Sequence, residues 1–283
     1  MQWLEFESLV NARDVGGIPT VDGGTIRSGR LLRSDNLQAL TPADIQHLRQ
    51  LGLTDVIDLR TAFEVHHEGN GPLVGAPGIH FHHYSFIKEQ YGNDQETLEQ
   101  AVPDNTEAVP AATLAAALPS AAPAEAPGKQ LPFIGRTFAK VTADPMASHY
   151  LAYLTERPES VLGALRAVAN ANGAALVHCA AGKDRTGTTV ALSLLLVGAE
   201  PDAVVADYAA SSERIDRIIQ RLIGTETYSN LKDRPLSSHR TEPESMRQFI
   251  HYADNEYGGV AGMLGRIGWT EADTDRMRAR LLG

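Results

Sequence analysis

Ten consecutive residues, His178-Cys179-Ala180-Ala181-Gly182-Lys183-Asp184-Arg185-Thr186-Gly187, put a thiol, two cations and a carboxylate into one short stretch. A thiol attacks well only as its thiolate, and a free cysteine ionises at about pH 8.5 unless cations or a helix N-terminus favour the anion. Cys179 has Lys183 and Arg185 beside it and a helical run after it. Five residues separate Cys179 from Arg185, enough for the backbone to curl with its N–H groups around the sulfur, and Gly182 supplies the conformational freedom that the curl needs. The planar fork of Arg185 can hold two phosphate oxygens, which a lysine cannot do. The chemistry expected is in-line attack of sulfur on a phosphate ester, a phosphocysteine, and its cleavage by water.

Within that scheme Cys179 is the nucleophile and Arg185 the clamp. Asp184 is the nearest carboxylate able to protonate the leaving oxygen. Ala180, Ala181, Gly182, Lys183, Thr186 and Gly187 form the candidate phosphate cradle, with the Thr186 hydroxyl placed to help the sulfur leave. His178 supports the loop from the strand end. The nucleotide-binding Walker loop does not fit, because Gly182-Lys183 is followed by Asp184 and no glycine stands five residues before Gly182.

The elements that must position this loop are legible on both sides. The apolar run 174–178 predicts a buried strand, and 188–197 a buried helix. Such a strand–loop–helix order makes an anion site, since the helix's unpaired N–H groups and its dipole both face the loop. Leu31-Leu32-Arg33-Ser34 and Asp55 to Arg60 read as strands joined through a helix that Thr41 caps and Pro42 opens, a parallel crossover unit. Near the start, Asn11-Ala12-Arg13-Asp14-Val15-Gly16-Gly17 precedes a turn at Asp22-Gly23-Gly24, and Gly16-Gly17 implies a sharp bend or close approach. Arg13 and Asp14 are expected either to pair with each other or to support the site. Arg60 and Glu64 are expected to pair and brace a strand end.

Later segments read as helices. Asp144-Pro145 and Pro158 open two of them, the first with a stripe of Met146, Tyr150, Tyr153 and Leu154 expected in the core. Pro201 opens another, Ile215 to Ile223 is amphipathic, and Thr241/Glu244 and Thr270/Asp273 are candidate capping boxes. Strands early and helices late predict an α/β fold, a central sheet flanked by helices. From Asn93 to Gln130 prolines and alanines replace the regular apolar pattern, predicting a lid-like or disordered insertion within a single domain spanning 1–283.

The bulk numbers exclude several classes. A net charge of −10 argues against a nucleic-acid partner, so an anion site must be a local positive patch. One cysteine allows no intramolecular disulfide. The N-terminus lacks a signal-peptide pattern and no apolar run is long enough to span a bilayer, so a cytoplasmic protein without integral membrane contact is expected. His66-His67 and His80-Phe81-His82-His83 lack the ligand set of a zinc site and are read as surface or cleft histidines, with no metal and no cofactor expected.

The stretch 178–187 resembles the HCxxGxxRT(G/S) signature of the protein tyrosine phosphatase superfamily. In its fuller form HCxAGKDRTG, with Asn11-x-Arg13-Asp14-x-Gly16-Gly17, it resembles a bacterial tyrosine/phosphoinositide phosphatase branch. The likeness extends through Leu32-Arg33-Ser34, Asp58-Leu59-Arg60 and the terminal helix. It implies the phosphatase sandwich, a phosphorylated protein or phosphoinositide substrate, and Lys183 as an extra loop cation suited to multiply charged substrates. The 93–130 insertion would correspond to the branch's helical lid. Many members place the acid on a separate loop, but 82–88 holds no Asp, which raises Asp184 instead. A non-catalytic phosphate-binding module and a histidine-based metal hydrolase are the alternatives.

Overall fold

Short aliphatic runs pair into one six-stranded sheet in the computed structural model, which describes residues 1–88 and 140–282. The strands are β1 (Gln2–Trp3), β2 (Arg13–Asp14), β3 (Leu31–Ser34), β4 (Leu53–Asp58), β5 (His80–His83) and β6 (Ala174–His178), in the spatial order β1-β2-β3-β6-β4-β5. The contacts β3·β6, β6·β4 and β4·β5 are parallel, and β1 and β2 add antiparallel at one edge. The expected parallel unit of β3 and β4 is present, with β6 inserted between its two strands. The insertion read at 93–130 lies outside the described residues.

Alternation along each strand divides the core in two. Leu31, Ile57, Ala175 and Val177 face one apolar layer, while their neighbours Leu32, Val56 and Leu176 face the other. Coverage on both faces explains why β6 reads as a continuous apolar run. The helices are α1 (Pro42–Gln50), α2 (Ala62–Glu68), α3 (Pro145–Glu156), α4 (Pro158–Asn170), α5 (Asp184–Leu196), α6 (Pro201–Ala210), α7 (Ile215–Ile223), α8 (Pro243–Tyr257), α9 (Val260–Gly265) and α10 (Glu271–Leu281). Those of the larger layer include α4, α5 and α8, through residues such as Leu165, Leu192 and Phe249. Among the described residues no helix is long and apolar enough to cross a membrane.

Most predicted boundaries are close to those observed, and the differences have local causes. Helix α5 starts at Asp184, not 188, so Asp184 to Gly187 are its first turn. Thr270 and Asp273 form the expected capping box, but Thr241 and Glu244 do not. There the helix begins at Pro243, and the Thr241 hydroxyl is engaged by Ser212 at 2.8 Å. Met146 is 38% exposed, outside the core that takes Tyr150, Tyr153 and Leu154. Gly16 passes so close to Ser28 that a Cβ there would sit 2.3 Å from the Ser28 Cα, the close approach its sequence implies.

Candidate active site

Cys179 follows the last residue of β6 and is 2% exposed. Behind it the loop's carbonyls are tied back one by one. Ala180 O accepts the Asn36 N–H at 3.1 Å, and Ala181 O accepts the Asn11 side-chain amide at 2.9 Å. Gly182 O accepts an Arg33 N–H at 2.7 Å, and Lys183 O accepts the Gly187 N–H at 2.8 Å. Across a trans peptide, C=O and N–H point in opposite directions. Anchoring these four carbonyls therefore turns the N–H groups of Ala181, Gly182, Lys183 and Asp184 to the other side, where they find no acceptor among the described residues. With the α5 N-terminus added, this is an anion cradle.

Gly182 makes the curl feasible. Its φ is +69°, and a Cβ would stand 2.4 Å from Ser34 O, a backbone atom that cannot swing aside. Gly182→Ala is expected to cost at least about 2 kcal/mol of stability, through the strained backbone and the clash together. Urea unfolding checks the stability, and kcat/KM should fall alongside it.

Arg185 is held in place by a carboxylate that sequence adjacency assigns elsewhere. Arg185 donates from Nη1 to Glu64 Oε2 at 2.6 Å and from Nη2 to Glu64 Oε1 at 2.9 Å, with a third bond to Leu59 O at 3.3 Å. Glu64 is fully buried at the third position of α2, where it also completes the capping box with Thr61 and accepts the Tyr228 hydroxyl. Arg60, its expected partner, instead grips Asp58, with Nη2 2.6 Å from Oδ2 and Nε 2.9 Å from Oδ1. The Asp58 carboxyl is held well below the usual range, burial opposing the shift and the Arg60 charge outweighing it.

Arg13 and Asp14 do not pair. Neighbours in a strand point to opposite faces. Arg13 Nε reaches Asp207 Oδ1 at 2.8 Å, whereas Asp14 accepts the backbone N–H groups of Gly16 and Gly29 at 2.8 and 2.7 Å. Asp207 also takes Arg33 Nη1 at 2.5 Å, so two buried arginines share one buried aspartate. Burial and the like charge of Arg33 lower the Arg13 pKa to about 10, with Asp207 opposing. Burial raises, and the two arginines more than offset, the Asp207 pKa, which falls to about 2. Arg13 and Asp207 are therefore both charged at neutral pH. The cluster works on the loop through its neighbours. Arg13 holds Asn11 Oδ1 at 2.7 Å, freeing the Asn11 amide for Ala181 O, and Arg33 holds Gly182 O.

Asp184 is the first residue of α5, with its side chain about a quarter exposed. Its Oδ1 accepts the Tyr150 hydroxyl at 2.8 Å, and Tyr150 meets the Tyr208 hydroxyl at 2.6 Å. Lys183 Nζ lies 3.5 Å from Asp184 Oδ2 and donates to His239 O at 2.5 Å. Burial works to raise the Asp184 pKa, but the Lys183 charge and the Tyr150 hydroxyl outweigh it, so the net shift is downward. Burial lowers the His178 pKa to about 4 against the pull of Asp58, whose Oδ2 is 3.7 Å away, so this imidazole is neutral at physiological pH. The buried Thr186 hydroxyl has no hydrogen-bond partner among the described residues, Cys179 included, which leaves it available to a ligand or to the sulfur later in a reaction. Gly187 gives its N–H to Lys183 O and packs near Tyr208, so it shapes the loop.

Among the histidines read from the sequence as surface or cleft side chains, His82 is instead buried, its ring drawn in by Asp55. His82 bonds Asp55 at 2.8 Å, and His83 bonds Arg60 O at 2.8 Å. Among the described residues no three His, Cys, Asp or Glu side chains gather as metal ligands.

Asp207, Tyr208 and Tyr228 carry no signal in the sequence, and Asn11, Arg33, Glu64 and Tyr150 read there as parts of a motif, a strand, an ion pair and a core stripe and not as site residues. Asn11, Arg33, Asp207, Glu64, Tyr150, Tyr208 and Tyr228 converge from seven places in the chain. A further hint lies in composition, since a buried arginine demands a carboxylate and Arg33 follows the two leucines of β3.

With this geometry established, comparison with known proteins gives consistent results. The triple specificity protein phosphatase PtpB of Mycobacterium tuberculosis is 31% identical over 297 aligned positions, covering 99% of each chain. A Cupriavidus necator relative is 29% identical over 75% of this chain and 63% of its own length. A tyrosine-protein phosphatase of Nostoc commune is 30% identical over 41% of this chain and 42% of its own. The model of the tyrosine phosphatase family matches residues 4–283, so a thiol in an anion cradle, faced by a braced arginine, stands in a chain that belongs to the tyrosine phosphatase family.

Proposed function

We propose that one catalytic domain spanning 1–283 hydrolyses phosphate monoesters of tyrosine, and also of serine, threonine and phosphoinositides, through a phosphocysteine on Cys179. The observation that carries this reading is the loop whose four carbonyls are anchored behind it, with Cys179 at its start and a Glu64-braced Arg185 close enough to feel the Cys179 charge. The breadth of substrate is supported by the name of the mycobacterial relative, a triple specificity phosphatase. Lys183 beside the cradle supplies the additional charge that a polyphosphorylated headgroup would meet.

In the first step the Cys179 thiolate attacks phosphorus in line, forming the S–P bond as the ester P–O bond breaks. The loop N–H groups and Arg185 hold the three equatorial oxygens, and Asp184 gives its proton to the leaving oxygen. In the second step water attacks phosphorus, Asp184 takes its proton, and the S–P bond breaks to return the thiolate. The resting electrostatics favour ionised Asp184, the form required by the second step. An arriving phosphate dianion raises the proton affinity of a carboxylate close by and so prepares the first step.

Acid-quenched turnover of a radiolabelled aryl phosphate tests the reading directly. Label should be trapped on Cys179, and hydrolysis should continue in the presence of a chelator. Absence of a phosphoenzyme together with chelator-sensitive turnover would assign the activity to a metal mechanism. Phosphate binding without any turnover would make the chain a binding module. The role of Asp184 has a separate measurement. Asp184→Asn should lower kcat by about 10²-fold for phosphotyrosine, whose leaving group needs the proton, and far less for nitrophenyl phosphate. Equal losses would leave Asp184 a structural residue.

A further inference from the structure

The parallel strands aim their C-terminal ends at the catalytic loop, and the opposite end of the same strands carries a second concentration of positive charge. A cleft of about 300 Å³ opens there, lined by Arg27, Arg30, Arg276 and Arg280 with only alanine side chains between them. Arg30 directly precedes β3 and Gly173 directly precedes β6, and Arg280 Nη2 ties the two by donating to the carbonyl oxygen of each. This cleft and the catalytic loop can therefore be occupied at the same time.

What distinguishes the cleft is the shortage of counter-charge in a chain with ten more acidic than basic residues. Arg27, Arg30 and Arg280 have no carboxylate ion-pair partner among the described residues. Arg280 is 8% exposed, and its buried Nε has no hydrogen-bond partner. Two carboxylates lie near, and both are committed. Asp273 binds Arg276 through Oδ1 at 2.5 Å, and Arg166 and the Thr270 backbone through Oδ2, both at 3.0 Å. Asp55 is bonded to His82 and Thr54. Burial, then the like charge of Arg30, lower the Arg280 pKa, and the charge of Asp55 opposes them without outweighing them. The C-terminal carbonyls of α4 lie alongside and offset some of this charge, but they leave Arg27, Arg30 and the Arg280 Nε unaccounted for.

We infer that the Arg27–Arg30–Arg276–Arg280 cleft is a second anion site, distinct from the catalytic loop, that takes a small soluble oligophosphate. Guanidinium groups match phosphate oxygens in charge and in bidentate geometry, and three cations without a carboxylate ion pair call for more than one phosphate group. The alanine floor offers no ring for a base to stack on and no side-chain hydrogen-bonding group for a sugar, so recognition rests on the phosphates. A bilayer held at this end would face away from the catalytic loop, which favours a soluble ligand over a lipid substrate.

Equilibrium dialysis of the full chain against radiolabelled pyrophosphate, with the catalytic loop occupied by orthovanadate, reads the site in isolation. One equivalent should remain bound. Arg27→Ala combined with Arg30→Ala should weaken that binding by about tenfold or more. Both side chains are at least partly exposed, so the variant should keep its melting temperature and its kcat/KM for an aryl phosphate within about twofold. The proposal fails if vanadate abolishes all pyrophosphate binding, or if the double variant binds as the parent does. Vesicles containing phosphatidylinositol phosphates that require Arg27 and Arg30 and outcompete pyrophosphate would overturn the soluble ligand in favour of a lipid.

Discussion

Cys179→Ser is expected to lower kcat for phosphotyrosine or an aryl phosphate by about 10⁴-fold or more while substrate binding persists. The substitution replaces one atom at a site that is 2% exposed, and none of the loop-anchoring hydrogen bonds involves the Cys179 side chain. The cradle should therefore survive intact. What disappears is the nucleophile, because a serine hydroxyl has no base positioned to ionise it and the loop lowers only the energy of an anion already formed. Binding is measured by isothermal titration with a phosphotyrosine peptide, and phosphoenzyme formation by acid quench. A variant that binds its substrate, forms no phosphoenzyme and turns over only residually is the expected combination. Turnover within about tenfold of the parent would refute the phosphocysteine mechanism.

Replacing the clamp should have the next largest effect. Arg185→Lys is expected to reduce kcat/KM by about 10³-fold, mostly in kcat, since the transition state spreads charge over oxygens that the guanidinium fork matches and an ammonium does not. The structure adds a second cost. Glu64 is fully buried and receives two Arg185 N–H groups, so a lysine would meet one carboxylate oxygen at most and leave the other to Tyr228. Glu64→Gln separates the two effects. It keeps a hydrogen-bonding group beside Arg185 but removes the charge that holds the fork, and should lose about 10- to 100-fold in kcat with a smaller change in KM. Because disturbing a buried pair also destabilises the fold by roughly 3–5 kcal/mol, each variant needs a melting curve alongside its kinetics. A Glu64→Gln enzyme with parental kcat would mean that Arg185 needs no brace.

The sequence by itself determined the chemistry of this protein and the local geometry that carries it. The thiol, the cations and the glycine that must turn occupy one ten-residue stretch, and strand Ala174–His178 and the helix behind it are readable from their apolar runs. Such features depend on contacts between near neighbours, whose geometry follows from backbone sterics and periodicity. The caps at Thr41 and Thr270 are legible for the same reason. Partner choice among the charged groups was decided only by the tertiary structure. Adjacency suggests Arg13 with Asp14, yet alternation along a strand turns them apart and Arg13 finds Asp207, 194 positions away. A four-residue spacing suggests Arg60 with Glu64, but the helix cap orients Glu64 inward to Arg185, 121 positions on, and Arg60 turns back to Asp58. A buried charge must be paired wherever the chain brings its partner, and sequence spacing holds no record of which face each side chain will take. The ten residues at 178–187 thus name the reaction, while distant residues such as Asn11, Arg33 and Glu64 give the loop its working shape.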